Sequence, residues 1–273
     1  MGWPMARHLH DAGAEVVVWN RSPEPLERAA AYGMQTAETL PDLSRRIGPG
    51  IIGLNLTQTD VVEAVVFGES GLASALDPGA LLIDFGTTGV PATQSFASRV
   101  HWIDAPVSGG QVGAEAASLT IMAGGTPENF ARALPVLQAL GKRITHLGPS
   151  GSGQVTKLAN QLIVAQTIDA VAQALRLAEL AGLDSAQVRE ALLGGFADSR
   201  ILDLHGSRMV RRDFAPGGRS ALQLKDVRLI CELAESLGFD SPTLRNCRAQ
   251  WEHFVHEFDG GDLDHSGLFR LYE

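Results

Sequence analysis

The sequence predicts a doubly wound α/β domain followed by an all-helical domain, and three observations carry that expectation. Short apolar runs alternate with amphipathic segments from residue 15 to about 148, the pattern of a parallel sheet covered by helices. After Gly148-Pro149-Ser150-Gly151 the strand-like runs stop, and apolar residues recur at three- and four-residue spacing. A chain of 273 residues also exceeds the usual single-domain size, so two cores are expected, over 1–150 and 151–273.

Each element has a local reason. Candidate strands are Glu15 to Trp19, Ile51 to Leu56, Ala80 to Phe85, His101 to Asp104, Ser118 to Ala123 and Ile144 to Leu147, most of them near-continuous apolar runs suited to burial on both faces. Helices are expected at Pro4 to Ala12, Pro25 to Tyr32, Asp60 to Phe67, Pro91 to Ser98 and Pro127 to Leu140, with prolines near several first turns, where the missing amide hydrogen costs nothing. A long helix then runs from about 151 to 181, stopped by Gly182, and links the domains. Ser185 to Leu193, Ile201 to Arg211, Leu222 to Leu237 and Thr243 to Glu257 complete the helical half.

Charge and cysteine content exclude several classes. Twenty-two basic against thirty-one acidic residues give a formal charge of -9, with no basic cluster longer than Arg45-Arg46 or Arg211-Arg212, so phosphate-tracking nucleic-acid binding is not expected. Cys231 and Cys247 are too few and too loosely spaced for a disulfide framework or a zinc site. The pair His253 and His256 beside Glu252 and Glu257 reads as a solvated helix face, and the acidic stretch Asp259 to Asp264 lacks the spacing of a calcium loop, so no metal is expected. Arg7, His8, His10 and Asp11 interrupt any signal-peptide core, and Leu162 to Leu180 is too polar for a membrane span. The expectation is a cytoplasmic protein acting on a small molecule, with no membrane partner.

The chemistry centres on Lys157, one of three lysines among the 22 basic residues. Arginine does not give up its proton in a protein, whereas a buried lysine can, so a lysine kept in an arginine-rich chain is a candidate proton donor. Lys142, in Leu140-Gly141-Lys142-Arg143, reads as an ordinary surface lysine. Lys157 follows Gly151-Ser152-Gly153 at a helix start among apolar residues, and Asn160 falls three residues on, on the same helical face. Ser108-Gly109-Gly110 follows a predicted strand, and glycines let backbone amides approach an anion closely. The strand Glu15 to Trp19 ends in Asn20-Arg21-Ser22, where an acid would hold the ribose hydroxyls of NAD; Arg21 would instead attract the 2′-phosphate of NADP.

Five segments in order resemble the β-hydroxyacid dehydrogenase family, which includes 3-hydroxyisobutyrate dehydrogenase and tartronate semialdehyde reductase. Gly2-Trp3-Pro4-Met5-Ala6 is similar to the end of that family's glycine-rich dinucleotide loop, and Asp104-Ala105-Pro106-Val107-Ser108-Gly109-Gly110 resembles its substrate-binding signature. Leu119 to Gly125, the segment around Lys157 and the pair Lys225-Asp226 resemble the remaining three. Asp264-His265-Ser266-Gly267-Leu268 and Lys157-Leu158-Ala159-Asn160-Gln161 look closer to the tartronate semialdehyde reductase branch, because a second asparagine commonly stands at the Gln161 position in the other.

The resemblance implies a Rossmann-like fold and an NAD(P)-dependent oxidoreductase that interconverts a small semialdehyde acid and its hydroxy acid. Lys157 becomes the general acid and base, with Asn160 on the substrate oxygen or orienting the lysine, and Ser108, Gly109, Gly110 and Lys225 on the substrate. Gly2, Met5, Asn20, Arg21, Ser22, Leu56, Thr57, Thr87 and Lys225 fall to the cofactor, NADP preferred or NAD. Thr57 stands where proline is common. A homodimer or homotetramer is expected. The competing readings are an imine reductase, whose members generally lack the lysine, and a non-catalytic dinucleotide-binding or dimerisation scaffold. A third relative, 6-phosphogluconate dehydrogenase, needs a larger helical domain.

A dinucleotide site of this kind needs a strand, Gly-x-Gly-x-x-Gly and a helix. The sequence opens at Met1-Gly2, so only the last glycine of that fingerprint is present. The expectation is a first strand encoded upstream, with Met1 an internal methionine of the motif; a truncated, inactive relative is the alternative. Without that strand its two neighbours lose ladder partners, at roughly 1–3 kcal/mol per buried unpaired group, and the fold should be poorly stable.

Overall fold

Buried apolar strands organise the first half of the chain in the computed structural model, which describes residues 1–273. The elements run α1 (Gly2–Asp11), β1 (Val17–Val18), α2 (Pro23–Ala31), β2 (Gln35–Thr36), α3 (Leu40–Ile47), β3 (Ile51–Leu54), α4 (Thr59–Phe67), β4 (Leu81–Asp84), α5 (Val90–Ala97), β5 (His101–Asp104), β6 (Val107–Ser108), α6 (Gly110–Glu115), β7 (Leu119–Gly124), α7 (Pro127–Leu140) and β8 (Gly141–Gly148). Prolines occupy the first turns of α2, α3, α5 and α7, and Thr39 and Thr126 cap α3 and α7 by accepting from Asp42 N and Asn129 N.

β3, β4 and β5 pair in parallel, with Ile51 opposite Leu81 and Leu81 opposite His101. All four residues of β4 are buried, as the unbroken apolar run requires. Leu81 and Ile83 enter a core with Met5, Ala133 and Leu137, whereas Leu82 enters a second core with Leu43, Val62 and Phe96. The sheet is mixed rather than parallel, because β7 runs antiparallel to both β5 and β6. Only Ala105 and Pro106 separate β5 from β6, too few residues for a crossover helix. The short elements β2, α3, β6 and α6 were not expected; Gln35-Thr36 and Val107-Ser108 are too brief and too polar to show a strand period.

The ladder is interrupted at one informative place. β1 and β2 form a separate two-stranded sheet, and the six-stranded sheet begins at β3. The strand expected over Glu15 to Trp19 shrinks to Val17–Val18, whose hydrogen-bonded partner is β2 alone.

The chain forms two compact units, Met1–Lys157 and Leu158–Glu273. Helix α8 (Ser152–Leu180) begins in the first and continues in the second, followed by α9 (Ser185–Leu192), α10 (Ser207–Arg211), α11 (Ser220–Ser236) and α12 (Pro242–Glu252). The second unit packs Ile168, Leu175, Met209, Val227, Trp251, Phe254, Leu268 and Phe269 into one core. The helices expected over Ile201 to Arg211 and Thr243 to Glu257 carry wider π turns at Leu202–Gly206 and His253–Glu257, which periodicity does not reveal. No helix is long and apolar enough to cross a membrane.

The acidic stretch near the C-terminus closes this unit. Asp264 accepts hydrogen bonds from Gly217 N, Gly218 N, Ser266 N and Ser266 Oγ, with His205 Nδ1 at 3.3 Å and Arg208 Nε at 3.4 Å. Burial pushes its carboxyl up, but the bonds from His205, Ser266 and Gly218 outweigh that and hold it well below the usual carboxylate range. His265 lies between the rings of His205 and Trp251 with its Nε2 shut off from solvent; burial, then the His205 charge, push it down to about 4, against the opposing pull of Asp264 and Asp226. An unfolded histidine takes its proton near 6.5, so between about pH 6.5 and 4 the unfolded chain binds more protons and stability falls with pH, by about 3 kcal/mol. The urea midpoint should drop across that window, and His265→Gln should flatten the slope. An equal slope in the variant rules out His265 as the cause.

Candidate functional site

The start of α8 is held by one buried carboxylate. Asp104, at the end of β5, accepts from Gly151 N at 2.9 Å through Oδ1 and from Gln154 N at 3.0 Å through Oδ2. Burial pushes this carboxyl above the usual range, and the backbone donors only partly offset the shift. Gly153 lets the helix approach the sheet: a Cβ there would clash with Met122 O and lie 2.7 Å from Asp104 O. The fully buried Gln154 adds a second tie, accepting from Thr88 N at 3.1 Å and donating to Gly86 O at 3.0 Å. Thr88 Oγ1 and Gly86 N donate to Asp84, at the end of β4, so the loop carrying Thr87 is pinned on both sides.

One turn further on, Lys157 is 9 % exposed, and its Nζ donates to Val107 O at 2.9 Å. Ser108, the next residue, pairs with Thr120 of β7 and is half-buried. Gly109 and Gly110 follow with φ of 134° and 60°, backbone that L side chains rarely adopt, and both are exposed. The first unit therefore brings Lys157 and Ser108-Gly109-Gly110 together, an ammonium beside backbone and hydroxyl donors. That arrangement can hold a carboxylate and pass a proton to an adjacent oxygen.

Most of the other residues expected at the cofactor follow the C-terminal ends of parallel strands, where open α/β sheets bind ligands. Asn20, Arg21 and Ser22 follow β1; Asn20 Nδ2 donates to Ser22 O, and Arg21 and Ser22 are exposed. Leu56 and Thr57 follow β3, with Leu56 packed on the core and Thr57 exposed. Thr87 follows β4 and is half-buried. α1 has no side-chain cap; a Cβ on Gly2 would lie 3.5 Å from Asn55 Cβ, so this helix start sits against the end of β3. Met5 is buried in the core with Leu81 and Ile83.

In the second unit, Asn160 and Lys225 belong to one network. Asn160 Nδ2 donates to Gln161 Oε1, Gln161 Nε2 donates to Asp226 Oδ2, and Lys225 Nζ lies 2.6 Å from Asp226 Oδ1. Lys225 stands within α11 rather than at its start, and pairs with Asp226. His253 pairs with Glu257 and His256 with Glu252 along the chain, each an i,i+4 contact.

A sheet with loops at the C-terminal ends of its parallel strands and a buried lysine beside a glycine pair suit a dinucleotide-dependent oxidoreductase. The comparisons agree. Residues 1–148 match a family model described as the NAD binding domain of 6-phosphogluconate dehydrogenase, and residues 151–272 one described as NAD-binding of NADP-dependent 3-hydroxyisobutyrate dehydrogenase. The chain is 39 % identical over 280 residues to 2-hydroxy-3-oxopropionate reductase of Escherichia coli (strain K12), covering all of this chain and 94 % of that protein. It is 31 % identical to 2-(hydroxymethyl)glutarate dehydrogenase of Eubacterium barkeri, over 85 % of this chain and 78 % of that one. A Mycobacterium tuberculosis 3-hydroxyisobutyrate dehydrogenase structure with L-serine superposes with a TM-score of 0.87 at 28 % identity, over 99 % and 95 % of the two chains. A Streptomyces aurantiacus imine reductase, with a TM-score of 0.62 at 18 % identity, shares the fold alone. The chain belongs to the β-hydroxyacid dehydrogenase family, of the 3-hydroxyisobutyrate dehydrogenase type. It is an NAD(P)-dependent oxidoreductase acting on CH-OH groups.

The residues present fit a nicotinamide dinucleotide. The start of α1 at Gly2 would offer amides to a pyrophosphate, exposed Arg21 and Ser22 after β1 would meet the adenosine ribose, and the pinned Thr87 loop follows β4. Asp84, Asp104, Gln154 and Gln161 received no site role from the sequence, although Asp104 opens the substrate-binding signature and Gln161 distinguishes the branches. A signal existed for the aspartates, each closing an apolar run and paired in register across β4 and β5. Gln154 bonds residues 66 and 68 positions away, so no local pattern marks it.

Proposed function

We propose that the chain reduces the aldehyde of a small 2-hydroxy-3-oxo acid to the primary alcohol, with NADPH preferred, and runs the reverse oxidation. The observation that supports this most is the Lys157 Nζ, bonded to Val107 O at 2.9 Å beside Ser108-Gly109-Gly110. Ser108 Oγ and the Gly109 and Gly110 amides hold the substrate carboxylate. Lys157 donates the proton that the developing alkoxide takes up and withdraws it in the reverse direction. The bound nicotinamide supplies the hydride. Asn160 bonds a substrate oxygen, and Lys225 adds a positive charge for the carboxylate or the cofactor. Gly2, Met5, Asn20, Ser22, Leu56, Thr57 and Thr87 stay assigned to the cofactor, Met5 by supporting α1 from the core.

The choice of NADPH rests on Arg21, exposed after β1 with no acid at Asn20 or Ser22. The 2-hydroxy-3-oxo class rests on the likeness to the E. coli reductase and on Lys157-Leu158-Ala159-Asn160-Gln161. An oligomer is also proposed, a dimer or tetramer, because Ile163, Ala170, Ala174 and Leu177 leave one side of α8 apolar and exposed. Initial rates with tartronate semialdehyde should be higher with NADPH than with NADH. Sedimentation of the same preparation should give a multiple of the chain mass. Cofactor binding without turnover of any semialdehyde acid overturns the reading, an NADH preference overturns the role of Arg21, and a monomer overturns the oligomer.

A further inference from the structure

A run of polar contacts in the second unit ends on Asn160, and its direction is fixed. Gln161 Nε2 donates to Asp226 Oδ2 at 2.5 Å and to Gln223 Oε1 at 3.2 Å. Asp226 Oδ1 is held by Lys225 Nζ at 2.6 Å. Gln161 Oε1 accepts from Asn160 Nδ2 at 2.9 Å. Gln161, Gln223 and Asp226 are only 8 %, 0 % and 6 % exposed, so water cannot repair a mismatched donor or acceptor.

The nitrogen and oxygen of a carboxamide have nearly the same shape, and only their partners decide which way round they lie. A carboxylate paired with an ammonium offers acceptors alone. With Asp226 and the Gln223 oxygen on one side, Gln161 must turn its nitrogen there and its oxygen toward Asn160. Asn160 must then turn its own nitrogen toward Gln161. Asn160 is left with Oδ1 and the second hydrogen of its Nδ2, and either bonds a hydroxyl whereas neither bonds a methyl group.

We infer that Gln161 is a positioning residue which, through Asn160, makes the enzyme select substrates with a hydroxyl on the carbon next to the aldehyde. The inference rests on the proposed reduction of semialdehyde acids with Asn160 at the substrate. Tartronate and methylmalonate semialdehydes differ at that carbon only in hydroxyl against methyl, two groups of similar size, so their ratio of kcat/KM isolates the contact.

The test compares that ratio in the full-length protein, in Gln161→Met and in Asp226→Asn. The unaltered enzyme should prefer the hydroxyl substrate by at least about tenfold, since a site built around a hydrogen bond rejects the analogue lacking it. Gln161→Met keeps the length and removes its side-chain bonds to Asn160, Gln223 and Asp226. The preference should fall by about tenfold, through a higher KM for the hydroxyl substrate and with kcat for the methyl substrate little changed. In Asp226→Asn the Lys225 ammonium keeps the remaining oxygen, so an amide nitrogen faces Gln161 Nε2, and the ratio should move the same way. An unchanged ratio in both variants, including equal loss on both substrates, overturns the inference and leaves the proposed reduction standing. Preference of the unaltered enzyme for the methyl substrate, or turnover of neither, overturns both.

Discussion

Lys157→Ala is expected to lower kcat by roughly 10²–10⁴-fold while cofactor affinity changes by less than about threefold. The side chain is buried, its head is fixed on Val107 O, and Ser108 follows directly in sequence. Its removal takes away a proton source from a place water enters poorly. Lys157→Arg separates two roles: the guanidinium keeps the charge and can still attract a carboxylate, but does not give up a proton. Turnover should stay low in that variant, with KM for the acid less affected than kcat. Full activity of Lys157→Ala in single-turnover measurements rejects the lysine as acid and base. Recovery of full activity by arginine leaves it only an electrostatic part.

The second large effect is expected at Gly153. A methyl group there meets backbone oxygen of Met122 and Asp104, neither of which is the free end of a side chain, so the start of α8 must move. Overpacking of this kind costs about 1–3 kcal/mol, read as a lower urea midpoint. Activity should fall further than stability does, because a displacement of about 1 Å at a reacting group can cost roughly 10²-fold. Gly195→Ala serves as the control, since the nearest heavy atom to its Cβ would be Leu192 O at 3.5 Å, an ordinary contact, and no change beyond about 0.5 kcal/mol is expected. A Gly153→Ala protein with unaltered midpoint and turnover would falsify this account of the helix start.

The extent to which the chain could be read in advance follows from the range of the forces involved. β4 was visible because a strand buried on both faces is a nearly unbroken apolar run, and α7 because a capping threonine and a first-turn proline mark its start. β6 was invisible: two residues, Val107 and Ser108, are a strand only because β7 lies beside them. Lys157 stood out by residue type. Its setting did not, because Asp104 and Gln154 act through partners about fifty and more positions away. Lys225 shows the limit of motif reading. Adjacency to Asp226 was legible, but its link to Asn160 through Gln161 depends on two helices meeting side by side.

The bonds from Asp104 to Gly151 and Gln154 join residues 47 and 50 positions apart. Closing so long a loop carries an entropic cost that the intervening strands must offset before the clasp can form. The place of the lysine therefore depends on β5, β7 and β8 having come together, and not on α8 alone. Helix formation alone does not assemble the site: a peptide spanning Ser152–Leu180 could coil readily and would carry an ordinary solvated amine.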